Sequence, residues 1–127
     1  MIRIYLAGCT DEVEYRKEVK EKYGKEFDLV DPMEDIPKDI STIPFRDLDL
    51  IDSCNYVLAY VNKPSFGTSM EIFYSFENFI SCIFINPDLR FKYDPWIFSH
   101  CKFITHDLES GFEFIRKNVK LNNNFLI

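Results

Sequence analysis

Several residue types that mark common protein classes are scarce in this sequence. It has only 2 histidines and 4 cysteines, and no Cys-x-x-Cys pair or flanking histidine completes the ligand spacing of a zinc site. We therefore expect no bound metal and no other cofactor. The cysteines are expected to be reduced thiols, which is their usual state in the cytosol.

Basic residues and long apolar runs are scarce as well. The 15 lysines and arginines stand against 21 acidic residues, a net charge of −6, which disfavours binding to a nucleic-acid polymer. The longest apolar run, around residues 79–85, is interrupted and too short to span a membrane. The first residues do not have the pattern of a signal peptide. We expect a cytoplasmic protein that contacts no membrane.

Aromatic residues, by contrast, make up 17% of the 127 residues, with 13 phenylalanines and 7 tyrosines. In a domain of this size they can fill the core, form a subunit interface or provide walls that stack on bases. We expect a single domain over residues 1–127 that assembles as a homo-oligomer.

Strand and helix patterns alternate along the whole chain. Strands are predicted over residues 2–6, 27–30, 56–61, 82–85 and 102–104, and helices over about 10–23, 45–53, 68–79 and 110–120, with a tail over 121–127. This alternation predicts an α/β fold: a doubly wound parallel sheet of five strands, flavodoxin-like, in the order 2-1-3-4-5.

The first predicted helix has an apolar and a basic face. Thr10 or Asp11 is expected as its N-cap, and Val13, Val19 and Tyr23 are expected to face the core. Its basic residues alternate with glutamates, so we interpret them as a solvated face: Arg16, Lys17, Lys20, Lys22 and Lys25.

A ligand site is expected beyond the carboxyl ends of strands 1 and 3, where the winding of the sheet reverses. Three segments reach that crevice: the end of strand 1 with its turn, the loop and helix after strand 3, and the helix after strand 2. The candidate site residues on these segments are Tyr5, Gly8, Cys9, Thr10, Asp47, Ser65, Gly67, Thr68 and Glu71.

Two of these candidates are carboxylates, each expected in the first turn of a helix. The partial positive charge of a helix start favours an ionised Glu71, and repulsion pushes a nearby Asp47 toward its protonated form. Retaining glycosyl transfer uses this division between a nucleophile and a proton carrier. Acidic residues also occur at helix starts for stability alone, so the pattern itself predicts a small-molecule site and names no reaction.

Three segments in this order resemble the nucleoside 2-deoxyribosyltransferase family. They are YLAG at residues 5–8, Asp47-Leu48 shortly before CNYVLA at 54–59, and PSFGTSMEI at 64–72. The resemblance covers residues 2 to about 118. It implies a flavodoxin-like homo-oligomer in which Glu71 takes the deoxyribose and releases the base, Asp47 handles the proton of the base and Tyr5 positions Glu71. Its substrates would be a nucleoside or nucleotide and a free nucleobase.

Some positions depart from this resemblance. Ser65 stands where transferases acting on free nucleosides often carry an aspartate. A serine there resembles the related deoxynucleoside 5′-monophosphate N-hydrolases, in which hydroxyls and backbone N–H groups hold phosphate. The first loop lacks the Ser and Arg-Gly-Gly pattern of those hydrolases, and Asp11 and Glu12 would disfavour phosphate. Asn55 replaces a common aspartate, which we interpret as a structural change.

Three functions therefore stay open: deoxyribosyl transfer between bases, hydrolysis of a deoxynucleoside 5′-monophosphate, and a nucleotide-sensing module without turnover. Pro95, Trp96 and His100 are candidates for a base pocket or a subunit interface, beside their ordinary roles as packed or surface residues.

Overall fold

Five parallel strands form one sheet in the computed structural model, which describes residues 1–125. The strands are β1 (Arg3–Gly8), β2 (Asp28–Val30), β3 (Tyr56–Tyr60), β4 (Ser81–Ile85) and β5 (Phe103–Thr105). Their order is β2-β1-β3-β4-β5, and every pair is parallel. The predicted doubly wound, flavodoxin-like α/β fold is confirmed.

Helices cover both faces of the sheet. They are α1 (Val13–Tyr23), α2 (Ile43–Asp52), α3 (Phe66–Glu77), α4 (Pro95–His100) and α5 (Leu108–Phe125), with a 3₁₀ turn at Ile40–Thr42. Successive residues of a strand point to opposite faces. Ile4 and Leu6 therefore join the core under α1 and α5, whereas Tyr5 and Ala7 join the core under α2 and α3.

The start of α1 differs from the prediction. The helix begins at Val13, and Glu12 stands at its N-cap without a side-chain hydrogen bond, so neither Thr10 nor Asp11 caps it. Val13 is 60% exposed. Because six residues make about 1.7 helical turns, Val13 cannot share a face with the buried Val19.

The C-terminal half holds two further differences. The short helix α4 was not predicted, although Asp94 followed by Pro95 is a typical N-cap and first-turn pair. The Asp94 carboxylate indeed accepts the N–H groups of Trp96 and Ile97. Helix α5 continues to Phe125, so the predicted tail is wrong over residues 121–125. The last two residues of that tail, 126 and 127, lie outside the described residues.

Within residues 1–125, no helix has the length and apolar character needed to cross a membrane.

Candidate active site

A cavity of about 370 Å³ lies at the carboxyl end of β1, between the first turns of α2 and α3. The sequence-predicted residues that line it are Tyr5, Gly8, Thr10, Asp47, Ser65, Gly67, Thr68 and Glu71. The remaining candidate, Cys9, is placed differently. Its carbonyl oxygen accepts hydrogen bonds from the side chain of Arg16 and the backbone N–H of Glu12, so Cys9 stabilises the turn after β1.

Gly8 ends β1 in a conformation that other residues rarely adopt. Its φ is +152°, and a Cβ atom there would lie 2.8 Å from the carbonyl oxygen of Tyr60. A glycine is therefore required for β1 to turn while it stays close to β3. This turn opens the space in front of the strand ends.

The hydroxyl of Tyr5 donates a hydrogen bond to Oε2 of Glu71. Tyr5 is fully buried, and its position in β1 directs its side chain toward α3. Desolvation and the nearby carboxylates raise the pKa of its hydroxyl, so the group stays protonated and acts as a donor. This bond fixes one carboxylate oxygen of Glu71 and leaves Oε1 for another partner.

The prediction that both carboxylates lie in first helical turns is wrong. Helix α3 begins at Phe66, because Ser65 is its N-cap and accepts the N–H of Thr68 at 3.5 Å. Helix α2 begins at Ile43, with a proline in its first turn. Asp47 and Glu71 therefore lie in second turns, where the helix dipole contributes little.

Burial, rather than a helix start, sets the charge of the two carboxyl groups. The pKa of Glu71 is raised to about 7, mainly by desolvation; the hydrogen bond from Tyr5 lowers it, the negative charge of Asp47 raises it and Arg16 lowers it. Desolvation also raises the pKa of Asp47, which Arg46 partly offsets. Near neutral pH, Glu71 thus exists in both forms, which differs from the fully ionised Glu71 expected from the sequence.

Arg46 is a site residue that the sequence reasoning missed. Its Nε lies 3.0 Å from Oδ1 of Asp47, and its guanidinium donates to the carbonyl oxygens of Pro32 at 2.7 Å and Glu34 at 3.0 Å. It therefore ties α2 to the loop after β2. That loop and α2 supply the apolar wall of the cavity, formed by Pro32, Met33, Ile36, Ile43, Pro44 and Leu48.

Arg16 was also misplaced by the sequence reasoning. It is 4% exposed and lines the cavity, so the predicted solvated face does not include it. Its Nε lies 3.4 Å from Oδ1 of Asp31, and it donates to the carbonyl oxygens of Gly8 and Cys9 at 3.1 Å each. In the sequence, the signal for this buried pair is the acidic residue Asp31, which directly follows β2.

The other departures from the family resemblance lie away from the cavity. Asp11 forms an ion pair with Lys63 at 2.6 Å. Glu12 accepts a hydrogen bond from the side chain of Asn62 at 3.0 Å. The side-chain oxygen of Asn55 accepts the backbone N–H of Arg3 at 2.8 Å. This hydrogen bond joins the starts of β1 and β3, so Asn55 has a structural role.

A second cavity of about 370 Å³ lies between α3 and α4. Trp96 and His100 line it, whereas Pro95 is not part of its lining. Ser65 and Thr68 border both cavities, so the first turn of α3 separates them.

No metal centre is present in the part of the chain that the structure describes. There, no group of three or more His, Cys, Asp or Glu residues is arranged to hold an ion. All four cysteines are free thiols.

Among solved structures, the chain is similar to a 2-desoxiribosyltransferase from Leishmania mexicana. The superposition covers 90% of this chain and 96% of that chain with a TM-score of 0.69, at 19% sequence identity. The likeness therefore concerns the fold. Comparison with protein-family models and with curated protein sequences gave no match.

Proposed function

We propose that this chain is an enzyme that cleaves the N-glycosidic bond of a deoxynucleoside and transfers the deoxyribose to another base. The observation that carries the proposal is the hydrogen bond from Tyr5 to Glu71, in a cavity that also contains the carboxyl group of Asp47. The fold shared with a 2-desoxiribosyltransferase supports it.

In the first step, Oε1 of Glu71 attacks the anomeric carbon of the sugar. A carbon–oxygen bond forms as the bond to the base nitrogen breaks, and Asp47 donates its proton to the departing base. Tyr5 holds Oε2, so the attacking oxygen has a fixed direction. The apolar wall of the cavity would pack against the face of the base.

In the second step, a nitrogen of an incoming base attacks the same carbon. Asp47 accepts the proton that this nitrogen loses, and Glu71 leaves as a carboxylate. Two displacements at one carbon retain the anomeric configuration. The reaction needs Glu71 ionised and Asp47 protonated at its start, and the raised pKa of Asp47 is in keeping with the second requirement.

Base exchange tests this proposal. The protein is incubated with a deoxynucleoside and a different free base, and the new nucleoside is measured by chromatography. Glu71→Gln should abolish exchange, whereas Glu77→Gln, an exposed position at the end of the same helix, should not. Tight nucleotide binding without turnover would favour a sensing module instead.

A second candidate is hydrolysis of a deoxynucleoside 5′-monophosphate. The first turn of α3 borders the cavity and contains no acidic residue. There, Thr68 Oγ1 is buried without a hydrogen-bond partner among the described residues. Such a helix start favours an anion, and Asp11 is paired with Lys63 away from it. Release of free base from the monophosphate, but not from the nucleoside, would select this function.

Self-association is part of the proposal. Phe66 and Met70 lie one turn apart on α3 and are 95% and 72% exposed, and Met70 borders the active-site cavity. Large exposed apolar side chains favour burial against another copy of the chain. Sedimentation of the wild type and of a Phe66→Ser, Met70→Ser variant tests this: the variant should sediment as a monomer.

A further inference from the structure

The cavity between α3 and α4 is a separate space next to the active site. Helix α4 contributes Trp96, Ile97 and His100, α3 contributes Phe73 and Ile72, and β4 contributes Phe84 to its floor. Its volume of about 370 Å³ is within the range of small-molecule sites, which are typically ~300–1,000 Å³. Neither carboxylate of the proposed transfer chemistry lines it.

Aromatic rings form the walls of this cavity. The rings of Trp96 and His100 are stacked, with centroids 5.9 Å apart and an interplanar angle of 23°. Phe73 lies next to the same histidine, at 5.7 Å between centroids. Flat ligands bind well between such walls, because ring faces stack with an offset and bury a large apolar area.

The polar groups of the cavity include one carboxylate, that of Asp94. The other polar side chains of its described lining are the hydroxyls of Ser65, Thr68 and Ser69 and the ring of His100. Nδ1 of His100 lies 2.7 Å from the carbonyl oxygen of Trp96, which anchors the ring to its own helix. No lysine or arginine lines the cavity. The Asp94 carboxylate would pair with a ligand that carries N–H groups, and no basic side chain is present to hold an anion.

Thr68 adds a buried group without a partner. It is 3% exposed, it borders the cavity, and its Oγ1 has no hydrogen-bond partner among the described residues. A buried hydroxyl without a partner destabilises the fold. A ligand that bonds to it removes that penalty.

We propose that the α3–α4 cavity binds a neutral, planar heteroaromatic ring that carries amino or ring N–H donors, with the ring against Trp96 and Phe73 and the donors toward Asp94. Apart from Ser65 and Thr68, the lining of this cavity differs from that of the active-site cavity, so the two sites can be tested separately.

Trp96 is the only tryptophan of the chain and lines this cavity, so the tryptophan fluorescence comes from one residue at the proposed site. The full-length protein is titrated with adenine, with excitation at the red edge of the indole band, where adenine does not absorb. A saturable change in emission is expected. Phe73→Ala should weaken the apparent affinity about tenfold, which corresponds to one lost aromatic contact. Asp94→Asn, which keeps the N-cap of α4, should weaken it several-fold.

Two controls separate this site from its surroundings. Phe98→Ala changes an exposed ring on the same helix that is outside the cavity, and it should leave the titration unchanged. Glu71→Gln should abolish base exchange and keep the fluorescence change. The proposal is overturned if adenine gives no saturable change, if Phe73→Ala and Asp94→Asn both bind like the wild type, or if Glu71→Gln removes the change. Phe73→Leu, which keeps the apolar volume without the ring, replaces Phe73→Ala if the latter fails to fold.

Discussion

The hydroxyl of Tyr5 and the carboxylate of Glu71 are joined by a hydrogen bond between residues 66 positions apart in the sequence. The bond links β1 to α3 at the edge of the sheet where a doubly wound fold binds its ligands. It stabilises the ionised form of Glu71 against the desolvation that raises its pKa. The protonation of the carboxylate therefore depends on the tyrosine.

Tyr5→Phe should lower the rate of base exchange by about tenfold to a hundredfold, because hydrogen bonds to charged groups contribute about 1.5–3 kcal/mol. Since the lost bond favoured the ionised form, the pKa of Glu71 should also rise. A pH–rate profile should show the acidic limb moved to higher pH. Tyr74→Phe is the matched control: this partly buried tyrosine on α3 donates a solvent-exposed hydrogen bond to Asp52. An unchanged acidic limb in Tyr5→Phe would contradict the assigned role.

Wild-type activity should depend on pH as a bell: it should rise near pH 7, as Glu71 loses its proton, and fall where Asp47, the proton donor, ionises. The stability of the fold should fall over the range in which Glu71 ionises. The folded pKa of about 7 lies above the ordinary value of 4.5, so the folded state binds the proton more tightly than the unfolded state. The resulting stabilisation is complete below pH 4.5 and is lost as pH rises to about 7.

Glu71→Gln removes this titration, so its effect on stability should depend on pH. Relative to the wild type, the variant should gain up to about 3 kcal/mol in free energy of unfolding between acidic and alkaline pH. Urea unfolding at pH 5 and pH 8 measures this difference, with Glu77→Gln as control. Equal differences from the wild type at both pH values would show that Glu71 has an ordinary pKa.

Asp47→Asn should lower exchange by about 10²- to 10⁴-fold, the usual contribution of general acid catalysis. The loss should be much smaller for a substrate whose leaving group departs without a proton, because the variant lacks only the proton donor. Asp49→Asn, two residues along the same helix and exposed, is the control. A loss of equal size for both leaving groups would indicate a positioning role for Asp47.

Arg16→Met should cost about 1–3 kcal/mol of folding free energy, because it removes buried hydrogen bonds to the carbonyl oxygens of Gly8 and Cys9, whereas Asp31 keeps its ion pair with Lys20 at 2.6 Å. Chemical denaturation measures the loss. Lys17→Met, the exposed neighbour on the same helix, should change stability by less than about 0.5 kcal/mol. Similar values for the two variants would refute a structural role for Arg16.

The sheet order could be predicted because it follows from the alternation of strands and helices and from the handedness of crossovers. The convergence of Tyr5, Asp47 and Glu71 follows from that order, since all three lie near the carboxyl edge of the strands. These relationships depend on topology, and errors of two or three residues in helix ends do not change them.

The charge state of the site could not be predicted in the same way. It depends on the burial of Glu71 and Asp47. Helix α3 begins after its N-cap Ser65 and α2 begins after its N-cap Thr42, so both carboxylates lie beyond the first helical turn. Arg16 was assigned to solvent because its sequence neighbours are charged, whereas its burial depends on Asp31, a contact between distant residues. Such pairings are set by tertiary packing and have only a weak local signal.

Covalent trapping tests the central claim most directly. A 2-fluoro-2-deoxynucleoside slows both displacements at the sugar, so the glycosyl-enzyme accumulates and can be mapped by peptide mass spectrometry. We predict one added sugar on the peptide that contains Glu71, absent in Glu71→Gln. A sugar on another residue, or an unmodified chain that still releases base from this substrate, would contradict the account.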